Sequence, residues 1–89
     1  MSCNVWFGRT KRTLCIQRGQ TLEDLKERIL KKFDDVFDGI LTEHIKLYLK
    51  KDGFELDDVG LLWGAAEAAE MRDKFGYWEI DLRVETGGF

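Results

Sequence analysis

The sequence predicts a small α+β domain on three observations. Two runs with period-two alternation, 4–7 and 13–17, flank a turn segment; an amphipathic helix signal follows; two further alternating runs come at 44–50 and 77–84. The chain has 89 residues, and a chain of this size buries only about 60% of the surface it exposes unfolded, which leaves room for one core. It is 44% hydrophobic and 35% charged, without a long apolar run, so neither a membrane span nor a disordered chain fits. Nine Gly and no Pro leave the turns to Gly, Asn and Asp.

The first two runs read as a β-hairpin joined by Gly8-Arg9-Thr10-Lys11-Arg12, with Val5, Phe7, Leu14 and Ile16 on one face. Trp6 and Cys15 fall on the other face, roughly opposite each other if the turn centres on Thr10 and Lys11. Thr21 is a good N-cap, and Asp24 stands three residues on in the capping-box position. Leu22, Leu25, Ile29 and Phe33 then recur at spacings of three and four, giving the main helix at about 21–33 with its apolar stripe on the hairpin's inner face. Residues 34–43 keep no steady period, and their apolar members Val36, Phe37, Ile40 and Leu41 can close the bottom of the core. A strand follows at 44–50 with Ile45, Leu47 and Leu49 inward, then a turn at Lys51-Asp52-Gly53 and a short return strand at Phe54-Glu55-Leu56. Asp57-Asp58 is placed to cap the next element, and the Ala-rich stretch predicts a second, shorter helix at about 65–74, ended by Gly76. The last strand carries Trp78, Ile80, Leu82 and Val84 on one face and Glu79, Asp81 and Arg83 on the other. This gives one domain, residues 1–84, with a flexible tail at 85–89.

The net charge of −3 conceals two unlike halves. Residues 1–33 carry eight Lys or Arg against three acids, a net +5, and residues 34–89 carry six against fourteen, a net −8. Such a chain can pair with copies of itself or with partners of opposite sign. Two cysteines, Cys3 and Cys15, make neither a disulfide framework nor a zinc pattern. Residues 1–10 contain no signal-type apolar segment, so the expected location is cytoplasmic, with the nucleus as the alternative, and the thiols reduced. Catalysis fails on inventory: His44 is the only His, Gly-rich phosphate loops are absent, and no nucleophile has a base to pair with. The chain is therefore expected not to be an enzyme, to need no metal or cofactor, and to take no small-molecule substrate. The basic cluster near residue 10 has no interleaved aromatics and the whole is acidic, which argues against nucleic acid.

The order strand, strand, helix, strand, short strand, connection, strand resembles the ubiquitin-like β-grasp superfamily. The likeness is carried by the hairpin at 4–17, the helix start Thr21-Leu22-Glu23-Asp24-Leu25-Lys26-Glu27-Arg28-Ile29, the strand Ile45-Lys46-Leu47-Tyr48-Leu49 and the strand Glu79-Ile80-Asp81-Leu82-Arg83-Val84. It implies a mixed four- to five-stranded sheet with one helix packed across it. In ubiquitin the outer sheet face bears an apolar patch read by receptors; the matching positions here are Tyr48 with Asp81 and Arg83 beside it. The helix between 61 and 75 is also longer than the connection ubiquitin-like proteins usually have.

What remains is binding. The tip Arg9-Thr10-Lys11-Arg12 can meet the acidic segment Asp52-Gly53-Phe54-Glu55-Leu56-Asp57-Asp58 of a second molecule, an arrangement that looks like the head-to-tail assemblies of DIX and other polymerising β-grasp members. The expected protein-binding residues are Trp6, Arg9, Lys11, Arg12, Tyr48, Asp52, Glu55, Asp57 and Asp58, with Trp6 as an apolar anchor or as a strand residue covered by its neighbours. The alternative function is that of a ubiquitin-like modifier, conjugated through Gly88 of the Gly87-Gly88 pair after removal of Phe89.

Overall fold

The computed structural model describes residues 1–51, 53–69, 76 and 79–86. Four strands, β1 (Ser2–Phe7), β2 (Thr10–Cys15), β3 (Ile45–Leu49) and β4 (Glu79–Thr86), form one sheet in the order β2-β1-β4-β3. β1 pairs antiparallel with β2 and parallel with β4, and β3 pairs antiparallel with β4. Helix α1 (Leu22–Lys32) lies between β2 and β3 in the chain, and α2 (Val59–Ala69) between β3 and β4. This α+β arrangement, with first and last strands parallel at the sheet's centre, matches the ubiquitin-like β-grasp topology.

The hairpin turn is tighter than the five-residue segment that the sequence suggests. It consists of Gly8-Arg9 alone, with Phe7 opposite Thr10. Gly8 has φ 61°, the left-handed backbone that two-residue hairpin turns demand and that costs Gly least. The register changes accordingly: Trp6 faces Lys11, and Cys15 faces Ser2.

Helix α1 starts as its sequence dictates. The Thr21 hydroxyl accepts the Asp24 N–H at 3.1 Å and the Asp24 carboxylate accepts the Thr21 N–H at 3.0 Å, a complete capping box. Leu25, Ile29 and Phe33 are fully buried, and Leu22 packs partly buried beside them. They meet Cys3, Val5, Leu14 and Ile16 of the hairpin and Ile45, Leu47, Ile80, Leu82 and Val84 of the other strands in one apolar cluster. Phe37 closes it at one end, 4.8 Å edge-on from Phe7 and 5.4 Å from Phe33 between ring centres. Val36 and Leu41, expected at the same end, are exposed.

The second helix begins at Val59, six residues before the position that composition indicates, and its sequence beyond Ala69 lies outside the described residues. Asp58 sets the start: its carboxylate accepts the Gly60 N–H at 3.1 Å. Leu62 and Ala66, one turn apart, are fully buried. Packing of that pair outweighs the cost of Gly60 and Gly64 within the helix. Arg18 ties the helix to the segment after β2, stacking 4.4 Å over the Trp63 ring and pairing with Glu67. No helix among the described residues is long and apolar enough to cross a membrane. The return segment after β3 makes a single bridge, Tyr48 with Glu55, instead of a fifth strand. β4 runs on to Thr86, where Glu85 and Thr86 pair with Lys46 and Ile45, so the last strand includes the first two residues of the segment read as a tail.

Candidate protein-binding surfaces

Alternation along the strands puts Trp6, Lys11, Tyr48, Asp81 and Arg83 on the sheet face opposite the helix. Trp6 is half-buried there. Its indole N–H donates to the Asp81 carboxylate at 3.3 Å, and the Lys50 and Lys11 ammonium groups stand 3.4 and 5.6 Å from the ring centre. The ring is thus wrapped by its own cross-strand neighbours. Tyr48 is half-buried too, with the Arg83 guanidinium 4.5 Å over its ring and Glu85 paired to that same guanidinium. Further along the face, Thr13 donates to Asn4 at 2.7 Å and Asn4 to Glu79 at 2.5 Å. The outer face is a closed polar network around two aromatic rings, unlike an apolar receptor patch.

Arg9 and Lys11 are exposed at the hairpin tip. Arg12 is not part of that group. It sits opposite Val5 on the helix side of the sheet, 4.9 Å over the Phe33 ring. Its guanidinium donates to the Lys32 carbonyl at 2.7 Å and grips both Asp35 carboxylate oxygens, one of them at 2.8 Å. One side chain thereby caps the C-terminus of α1 and anchors the segment after it. The hydrogen bond from Arg12 holds the Asp35 carboxyl below the usual carboxylate range, and the same bond raises the Arg12 guanidinium. A lowered carboxyl pKa stabilises the fold above the ordinary carboxylate range and loses that effect as pH falls through the folded value. Arg12→Gln is therefore expected to move the Asp35 midpoint upward in a carbon-detected NMR titration. The stability gap between variant and parent should close in acid; an unchanged midpoint would contradict the assignment.

Of the acidic segment, Asp52 lies outside the described residues. Glu55, Asp57 and Asp58 are exposed, Phe54 beside them is 70% exposed, and Leu56 is buried in the core. The backbone of Phe54 and Leu56 is held by β3, through Leu49 N–H to the Phe54 carbonyl at 2.9 Å and Leu56 N–H to the Leu47 carbonyl at 2.7 Å. Gly87 and Gly88, the residues of the conjugation reading, also lie outside the described residues. His44 is bound into its own 3-10 turn, where Nδ1 accepts the Leu41 N–H at 3.3 Å.

Burial separates the two thiols: Cys3 is in the core and Cys15 is exposed. Burial first, and the Asp81 charge second, push the Cys3 thiol far above its ordinary pKa, so it stays protonated.

Sequence reasoning missed a basic cleft between β2 and the second half of α1. It is an open groove of about 450 Å³ lined by Thr13, Leu14, Cys15, Arg28, Lys31 and Lys32. The spacing of 28, 31 and 32 on a helix places those three cations together, a signal present in the sequence but legible only once β2 is set beside them. No protein-family model and no curated protein matches the sequence, so the chain's classification rests on its fold.

Proposed function

We propose that this domain is a non-catalytic protein-interaction module that assembles head to tail with copies of itself. The basic hairpin tip of one copy meets the acidic segment after β3 of the next. One observation carries the reading: the sheet order puts β2, which begins at the tip, and β3, whose outer side bears Glu55, at opposite edges. Complementary charges on opposite edges favour a heterologous contact that repeats instead of closing on itself. Arg9 and Lys11 supply the positive side, since Arg12 is engaged with Asp35. Glu55, Asp57 and Asp58 supply the negative side, and exposed Phe54 offers the apolar centre that a contact of this kind needs. In this respect the domain is similar to DIX and other self-assembling β-grasp members.

Light-scattering mass against concentration tests it. The mass should climb above the 10.4 kDa monomer with concentration in low salt and fall back in high salt, where surface charges are screened. A variant carrying Arg9→Glu and Lys11→Glu should stay monomeric throughout. A parent protein that remains monomeric at high concentration and low salt, or a reversed variant that assembles unchanged, ends the proposal.

A further inference from the structure

We propose that the basic groove between β2 and α1 binds a small polyphosphorylated anion, either free in solution or as the headgroup of a lipid. The groove measures about 450 Å³, within the range of small-ligand sites. Its lining holds three cations, Arg28, Lys31 and Lys32, and no carboxylate. Lys31 and Lys32 are exposed and form no ion pair among the described residues. Arg28 is half-buried and held in place, because Gln20 Oε1 accepts from its guanidinium at 3.4 Å and from the Gln17 N–H at 2.9 Å. The loop after β2 thus steadies a planar fork, and its free donors suit the oxygens of a phosphate.

A helix C-terminus ordinarily repels anions, since its free carbonyls carry partial negative charge. Arg12 offsets that here: its guanidinium donates to the Lys32 carbonyl at 2.7 Å and engages both oxygens of Asp35. The carboxylate at the helix end is therefore occupied and does not compete for the lysines. From the other wall, β2 adds backbone donors. Met1 and Ile16 exchange both N–H···O bonds, at 2.8 and 2.9 Å, so alternation along the antiparallel ladder turns the Thr13 and Cys15 N–H groups away from β1, at the edge that lines the groove.

Charge spacing decides what kind of anion fits. Residues 28 to 32 rise only about 6 Å along α1, so the three cations crowd over roughly one turn. Alternate side chains of an extended acidic segment stand about 7 Å apart, which brings one carboxylate, or two at most, within that turn. A polyphosphate concentrates several negative charges at one place, and its oxygens suit both the fork of Arg28 and the point charges of the lysines. None of the lining residues belongs to the assembly contact, so the two proposals stand or fall separately.

The probe is inositol hexakisphosphate, titrated into the full chain by calorimetry and amide NMR, with orthophosphate as the single-phosphate comparison. The hexakisphosphate should bind more tightly than orthophosphate, weaken as salt rises, and shift the amides of Thr13, Cys15 and residues 28–32. A variant with Lys31→Gln and Lys32→Gln, checked for an unchanged fold, should bind about tenfold more weakly, the size expected for two exposed charge pairs. A variant with Arg9→Gln and Lys11→Gln should bind as the parent does, which separates this site from the hairpin tip. Sedimentation with phosphatidylcholine vesicles identifies the source: capture only when phosphatidylinositol bisphosphate is included assigns a lipid headgroup, and no capture assigns a free anion. The proposal is overturned by absence of hexakisphosphate binding, by equal binding of the Lys31 and Lys32 variant, or by shifts confined to the hairpin tip. Capture by plain phosphatidylcholine, or tighter binding of a peptide of alternating Glu and Thr than of the hexakisphosphate, would overturn it as well.

Discussion

Phe33→Ala is expected to cost about 3–5 kcal/mol, the range for deleting a fully buried aromatic side chain. Phe33 is fully buried at the C-terminal cap of α1 and belongs to three structures at once. It ends the helix stripe, stacks against Phe37 at 5.4 Å, and lies under the Arg12 guanidinium. Its carbonyl accepts the Val36 and Phe37 N–H groups, both at 2.8 Å, so the ring's position also sets the turn that follows. Whole domains are stable by roughly 5–15 kcal/mol, so this one change removes a large share. Urea unfolding should show a much lower midpoint with an unchanged slope. A loss below about 1 kcal/mol would mean that the site collapses around the missing ring, contrary to the close packing of Phe33 against Phe37 and Arg12.

The two thiols should differ in reactivity by at least about a thousandfold, the ratio that even a modestly stable fold imposes on a group reachable only through unfolding. Cys15 is exposed on β2; Cys3 is enclosed in the core and held protonated. Treated with a maleimide at neutral pH, the native protein should gain one adduct quickly, at Cys15 by peptide mapping. A second should appear only at the rate at which the domain opens, and in denaturing urea both should react together. Fast double labelling of the native protein would contradict the burial of Cys3. Phe33→Ala should speed the second adduct in step with its loss of stability, which links the two measurements.

Features decided within a few residues are legible in the sequence itself. Thr21 and Asp24 name their own capping box, and Leu25, Ile29 and Phe33 name the buried stripe, because helix geometry fixes both. Strand faces are legible too: Ile45, Leu47, Ile80, Leu82 and Val84 alternate and all are buried. The misplacements have a common cause, which is dependence on partners distant in the chain. The hairpin register depends on which residues close the turn, and a two-residue turn at Gly8-Arg9 moves Cys15 from Trp6 to Ser2. The start of α2 depends on Leu62 finding the core, which propensity does not see. Arg12 reads as one of a basic run, although period two from Leu14 already sets it on the helix side; a neighbouring Phe33 and a waiting Asp35 make that position tenable for a charge. The charge asymmetry is legible as numbers, but only the sheet order turns it into opposite edges.

The two central strands are the first and the last of the described strands, far apart in sequence, and Ser2 lies beside Glu79. Until β4 arrives, β1 and β3 have no common neighbour, and the hairpin with α1 can bury only part of the apolar cluster. Closing so long a loop must precede the reward of the central pairing, which slows folding relative to a helical domain of the same size. During synthesis the hydrophobic surface of the hairpin and α1 therefore stays partly uncovered until β4 has emerged. The same arrangement holds β1 and β4 each on both sides, so neither can leave the sheet without breaking two ladders.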